Sequence, residues 1–280
     1  MSSTITTTIL PREAVALAQS PLAYVYLIPG ETGVSAPVNN LLRIASEAVA
    51  AAQLGDTSKY GRRWYEYLES LSQVDMSVLP FTPGGDLATI KTNAIAALDV
   101  MTDSEQLANI GNNVDVLVIP DYASRETGLS SILTKAELVS EHVNVDCLVI
   151  TDSYFASSST LANQSTWATA NLHPNILGIT NKATVNGAAE WGSAVTAAHL
   201  AKFAALEGIG SHPFSLSHPL TGVGATDPKR IYNLADGTAA ADVLKDENLT
   251  SIIQHDGFDY MWGGKLKTVK AGDNRHLRAH

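Results

Sequence analysis

Apolar positions along the chain fall into two kinds of run. Short and nearly continuous apolar stretches occur at Leu22-Ala-Tyr-Val-Tyr-Leu-Ile28, Val114-Asp-Val-Leu-Val-Ile119, Val145-Asp-Cys-Leu-Val-Ile150 and Asn175-Ile-Leu-Gly-Ile-Thr180. That is the pattern of strands covered on both faces. Between them, apolar residues recur at helical spacing. Trp64, Tyr67, Leu68 and Leu71 predict a helix over 60–71, Leu87, Ile90, Ala94 and Leu98 one over 86–101, and Ile132, Leu133, Ala136, Leu138 and Val139 one over 130–143. Asn39 or Asn40 is expected to cap a further helix through Leu41, Leu42, Ile44, Ala45, Ala48, Val49 and Leu54, stopped by Gly55. Met76 to Phe81 reads as a strand closed by Pro83-Gly84-Gly85, with Asp86 capping the helix that follows.

The second half continues the alternation. Residues 153–165 read as a polar loop, and Trp167 to Leu172 as a helical or loop passage. A long Ala-rich helix is expected over 188–206, with Val195, Ala198, His199 and Phe203 in register. Gly208 to Gly224 breaks all periodicity. Beyond it come a short helix over 239–247, a strand from Leu249 to Ile253, a tight turn at Asp256-Gly257 and the run Phe258-Asp-Tyr-Met-Trp262. The three alternating aromatics Phe258, Tyr260 and Trp262 are expected on one buried face. The order strand, helix, strand around residues 114–150 requires a parallel crossover unit. The expected class is therefore α/β, a three-layer domain with a central, mostly parallel sheet, plus a smaller N-terminal α/β region and extended terminal arms. In numbers this gives an arm over 1–20, an N-terminal α/β region over 21–111, a core over 112–268 and a basic tail over 269–280.

Composition narrows the function classes. A chain of 280 residues can bury a self-sufficient core without staples, and its formal charge of −10 argues against nonspecific nucleic-acid binding. The exception is local. From Met261 onward, Lys265, Lys267, Lys270, Arg275 and Arg278 face the single acid Asp273, so this end is either a solvated terminus or a segment that seeks an acidic surface on another copy. The single cysteine, Cys147, lies in an apolar run and reads as a buried strand thiol. The N-terminus lacks the pattern of a signal peptide, no segment reaches the length of a membrane span, and Thr6 and Thr7 belong to a Thr-rich stretch suited to an extended arm.

No complete catalytic constellation is legible. Asp121, Asp152 and Ser153 follow apolar strands, where open-sheet enzymes place their sites, but no Gly-x-Ser-x-Gly elbow accompanies them. Gly30-Glu-Thr-Gly33 and Pro83-Gly84-Gly85-Asp86 lack the lysine or the glycine spacing of a phosphate loop. The histidines form no His-Glu-x-x-His pair; His212 and His218, each followed by proline, are expected to bond loop backbone in preference to a metal. No cofactor is expected.

One set of motifs is informative together. Asn248-Leu-Thr-Ser-Ile-Ile253, then Asp256-Gly257-Phe258-Asp259, then Trp262-Gly263-Gly264-Lys265 resemble, in order and spacing, motifs of the tail sheath proteins of contractile-tailed bacteriophages and related contractile injection machines. Ser211 to His218 and Thr221-Gly222-Val223-Gly224 resemble that family's preceding loop and Gly-Val-x-Gly step, without its tryptophan. Val116 to Pro120 is similar to the strand before its first crossover helix, and the likeness extends over about residues 112–268. Asp259 and Lys265 stand where the family commonly has arginines, Gly264 stands for an asparagine, and the chain stops soon after the motif.

The resemblance implies a structural subunit that polymerises as stacked hexameric rings around an inner tube and contracts to drive that tube into a host envelope. It implies contacts with other copies, with the inner tail tube protein and with baseplate and tail terminator proteins. Neither sequence-specific nucleic-acid binding nor membrane insertion is implied. The location would be the virion tail, after assembly in the host cytoplasm. Gly222, Gly224, Gly257, Phe258, Trp262, Gly263, Lys265, Lys267, Thr6 and Thr7 are the motif and assembly candidates. A non-contractile tail cap or adaptor, or an open-sheet enzyme, are the competing readings.

Overall fold

The computed structural model describes residues 19–143, 147–155, 160–207, 218–233, 235 and 237–264. The N-terminal arm with Thr6 and Thr7, the loop containing His212, and the C-terminal segment with Lys265, Lys267 and the 269–280 tail lie outside the described residues. In chain order the elements are β1 (Gln19–Pro29), β2 (Leu42–Arg43), α1 (Glu47–Leu54), α2 (Tyr60–Leu71), β3 (Gln73–Phe81), α3 (Leu87–Asp99), α4 (Ser104–Ala108), β4 (Val116–Ile119), α5 (Ser131–Val143) and β5 (Leu148–Asp152). They continue with α6 (Leu161–Asn171), β6 (Ile176–Ile179), β7 (Lys182–Val185), β8 (Ala188–Glu190), α7 (Gly192–Glu207), β9 (Val223–Asp227), α8 (Ala240–Asp246), β10 (Leu249–His255) and β11 (Phe258–Trp262).

An eight-stranded sheet runs in the order β11-β10-β6-β5-β4-β1-β3-β2. Every pair from β10 to β3 is parallel; only the edge strands β11 and β2 run antiparallel to their neighbours. The expected mostly parallel sheet is present, and β1 joins the N-terminal region to the rest by pairing with both β3 and β4. Strand alternation divides the core. Tyr24, Tyr26, Ile28, Val116 and Val118 point into a layer with α1, α2 and α7, whereas Val25, Leu27, Leu117 and Ile119 point into a layer with α3, α5 and α6. Both faces are covered, which is why the strands read as continuous apolar runs. A separate three-stranded antiparallel sheet, β8-β7-β9, lies outside the main one.

Four expectations are corrected. The helix expected from Asn39 starts only at Glu47, because Ser46 is the working cap, its hydroxyl accepting from Val49 N. Upstream, Asn39 sits at φ 54° and Ile44 N donates to Met76 O, so Leu41, Leu42 and Ile44 serve an edge strand. Residues 188–190 are strand and not helix: Asn186-Gly187, at φ 49° and 82°, makes the tight turn of the β7–β8 hairpin, a signal that the surrounding alanines outweighed. Within the expected polar loop, Thr160 caps α6 by accepting from Asn163 N. Finally, the aromatics of β11 are not all buried, since Phe258 is 58 % exposed while Tyr260 is buried.

Glycines mark where layers approach most closely. A Cβ on Gly192 would lie 2.1 Å from Asn181 O and 2.6 Å from Ile179 Cγ2, whereas one on Gly85 would meet nothing within 4 Å. Gly192→Ala should therefore cost about 1–3 kcal/mol in urea unfolding, and Gly85→Ala should stay within about 0.5 kcal/mol of the parent. Equal effects would contradict this packing of α7 on β6.

Candidate functional site

The carboxyl ends of the parallel strands are where an open-sheet enzyme would carry its chemistry. Here those ends are occupied by structural polar groups. Asp152, 3 % exposed, accepts from Ser193 N at 3.0 Å, Ser193 Oγ at 2.6 Å and Asp121 N at 3.1 Å. One carboxylate thus joins the end of β5, the turn after β4 and the start of α7. Burial pushes its carboxyl up to about 6, against three donors that favour the ionised form. Asp121, at φ 70°, pairs with Arg125, and Ser153 is buried beside Gln164 Nε2 at 3.4 Å. Asp152 and Ser153 are both buried, and the Asp152 carboxylate is taken up by bonds within the protein.

Next to this corner, Asn181 replaces a strand. Its Oδ1 accepts from Ile252 N at 2.9 Å and its Nδ2 donates to Ile252 O at 2.8 Å, continuing the β6–β10 ladder after β6 has ended. Arg230 is buried nearby, with Nη2 donating to Gln164 Oε1 at 2.7 Å. Sequence reasoning missed both residues, because the signal lies in strand lengths that only pairing defines.

The motif residues of the last hairpin lie at the neighbouring edge of the sheet, where β11 pairs with β10. Asp256 and Gly257, at φ 49° and 82°, make the two-residue turn between β10 and β11. Trp262 Nε1 donates to Asp242 Oδ1 at 2.9 Å, its ring meets that of Tyr232 at 5.4 Å and a tilt of 48°, and the Lys245 ammonium lies 4.6 Å from its centroid. Immediately after it, Gly263 at φ 125° crosses the start of β10; a Cβ there would lie 2.6 Å from Leu249 O. Gly264, at φ 76°, donates its N–H to Thr250 Oγ1 at 2.8 Å. The left-handed conformation suits glycine and asparagine alike, so the Gly264-for-Asn replacement is conservative in backbone terms. Asp259 is buried, and its carbonyl accepts from Leu220 N at 2.8 Å. Gly222, at φ 70°, leads into β9, and Gly224 makes only ordinary contact with Thr184. The structure therefore brings Gly257, Phe258, Trp262 and Gly263 together on one hairpin and sets Gly222 and Gly224 on the smaller sheet.

Two other polar groupings stand out. Glu137 and Glu141, one turn apart on α5, and His173 bring three ligand atoms within 4.8 Å of one another. However, His173 Nε2 already lies 2.9 Å from Glu137 Oε1, and its Nδ1 is buried without a partner. A metal-bound imidazole normally donates its second N–H, and here Nδ1 has no acceptor among the described residues, so the supporting bond of such a ligand is missing. A cavity of about 310 Å³ opens between α2, the β7–β8 hairpin and the start of α7. Glu190 closes its polar wall, accepting from Arg63 Nε at 2.5 Å and Trp64 Nε1 at 2.9 Å.

Sequence comparison finds no matching family model and no matching curated protein. Comparison of the fold does find matches. The helical sheath of the anti-feeding prophage in its contracted state matches at a TM-score of 0.59 and 13 % identity, covering 98 % of this chain and 71 % of that one. A chain of the same system's baseplate matches at 0.58 and 12 %, covering 96 % and 70 %. The sheath tail protein of Listeria innocua matches at 0.53 and 9 %, covering 91 % and 70 %. The chain has the fold of the sheath proteins of contractile tails and injection systems.

The Asp152 clamp carries a pH signature. Its folded pKa, about 6, lies above the ordinary aspartate value of ~3.9, so between those limits the folded state binds more proton and this group's contribution to stability falls as pH rises. Asp152→Asn removes that slope. Its stability deficit relative to the parent, measured by urea unfolding, should narrow as pH rises from about 4 to 6; a widening deficit would reverse the assignment.

Proposed function

We propose that the chain is a structural subunit of a contractile tail sheath, polymerising with copies of itself as stacked hexameric rings around an inner tube and contracting to drive that tube into a host envelope. The observation that carries this reading is the fold match over nearly the whole chain to sheath proteins of contractile systems. It is supported by the engagement of Asp152 in a structural clamp, which leaves that carboxylate no free face for substrate. Under this reading the protein works by assembly and not by turnover. Its partners are other copies, the inner tail tube protein, the baseplate and the tail terminator, and its place is the virion tail after assembly in the host cytoplasm.

The same reading keeps the organisation of an arm (1–20), an N-terminal α/β region (21–111), a core (112–268) and a basic tail (269–280), with both α/β regions feeding one sheet. Thr6 and Thr7 in the arm and Lys265 and Lys267 beyond β11 would reach neighbouring copies, where an extended segment can add to an open strand edge. Phe258, exposed at the hairpin tip, is a proposed contact residue; Trp262 and the glycines Gly222, Gly224, Gly257 and Gly263 shape the surfaces around it. A cap or adaptor that does not contract is the second reading, favoured by the match to a baseplate chain.

Negative-stain microscopy of the purified chain separates these readings: tubes or stacked rings are expected for a sheath subunit, single rings for a cap, and monodisperse particles would count against both. Deleting residues 2–10 should abolish tube growth while circular dichroism stays that of the parent. Unchanged assembly would remove the arm from the proposal.

A further inference from the structure

The connection entering β9 is held by three side chains that converge on one residue. Thr221 N donates to His199 Nε2 at 2.8 Å, Thr221 O accepts from the Tyr67 hydroxyl at 2.9 Å, and Thr221 Oγ1 lies 2.6 Å from Lys202 Nζ. Tyr67 belongs to α2; His199 and Lys202 belong to α7. Leu220 before it is buried and donates its N–H to Asp259 O at 2.8 Å, whereas Thr221 itself is exposed and is followed by Gly222 at φ 70°, so these bonds fix the last step into β9. His199 is fully buried.

The partners of His199 settle its protonation. A backbone N–H can only donate, so Nε2 facing Thr221 must carry the lone pair. A backbone carbonyl can only accept, so Nδ1, 3.0 Å from Val195 O, must carry the hydrogen. Only the neutral Nδ1–H tautomer satisfies both bonds. Adding a second proton converts Nε2 into a donor aimed at another donor.

We propose that His199 is an acid-sensitive latch: protonation of Nε2 breaks its bond to the Thr221 amide and releases the Thr221–Gly222 step, loosening the entry to β9 and the smaller sheet while Leu220 and the eight-stranded sheet stay in place. The surroundings offer the imidazolium only the Tyr67 hydroxyl oxygen, at a long 3.4 Å from Nδ1 and 3.5 Å from Nε2. Tyr67 from α2 keeps its hydroxyl hydrogen on Thr221 O, and Lys202 on α7 adds a like charge. From the connection, His218 stands 5.0 Å from the Phe203 ring, which lies between it and His199. Strand β1, on which α7 packs, brings the uncharged Tyr24 and Tyr26 to the same core. Among the described residues no carboxylate pairs with the ring, and burial pushes it down to about 4. The ordinary histidine value is ~6.5, so the closed latch is fully favoured above that pH. Opening should increase about tenfold per pH unit as pH falls from 6.5 toward 4, and level off below.

Hydrogen exchange of the full chain, corrected for the intrinsic pH dependence, tests this together with the ring tautomer from nitrogen NMR. The expected result is an Nδ1–H tautomer at pH 7, and a Thr221 amide whose protection falls with acid while Val118 and Ile150 in the main sheet keep theirs. His199→Gln supplies an acceptor that cannot titrate, so the same amide should lose its acid dependence in that variant. An Nε2–H tautomer in the parent, Thr221 opening together with Val118 and Ile150, or an unchanged acid profile in a folded His199→Gln would each overturn the latch. The parent measurements stand whether or not that variant folds, and none of them depends on assembly into a sheath.

Discussion

A parallel sheet covered by helices on both sides has no water with which to satisfy a backbone group that its neighbours leave unpaired. The remaining architecture answers that constraint. Where β6 ends before β10, the Asn181 side chain supplies the missing donor and acceptor. Where β5 ends, the Asp152 carboxylate collects the amides of Asp121 and Ser193 and so fixes the turn after β4 and the entry to α7. These two side chains occupy the corner where open-sheet enzymes carry their cleft.

The neighbouring edge follows a different logic. Around β11 the required features are turns and close crossings: Asp256-Gly257 for the hairpin, Gly263 against Leu249 O, Gly264 on Thr250. None of these holds a group poised for chemistry. They shape a hairpin that presents Phe258 outward while Tyr260 and Trp262 anchor it against Ile253 and Tyr232. Glycine-rich motif residues therefore describe the form of a surface.

What the sequence disclosed follows from how local each signal is. The parallel core was legible because two-sided burial writes itself as unbroken apolar runs such as Val116 to Ile119. Asp86 was legible as a cap because its role depends only on Thr89 three residues on. The β7–β8 hairpin was hidden by Ala188 and Ala189, good helix formers that become strand through pairing with Val185 and Thr184. Asn181, Arg230 and the Thr221 clamp could not be read at all, since their partners are separated from them by 19 to 154 residues.

The position of β1 has a mechanical consequence. It is the first described strand, yet it lies inside the sheet, paired in parallel with β3 from Gln19 to Pro29 and with β4 at Tyr24 to Tyr26. A pull on the polypeptide preceding Gln19 is directed along that strand and loads its hydrogen bonds in shear, many at once, so the strand cannot peel away one bond at a time. A load carried along that strand is shared, at Tyr24 to Tyr26, by neighbours on both of its sides.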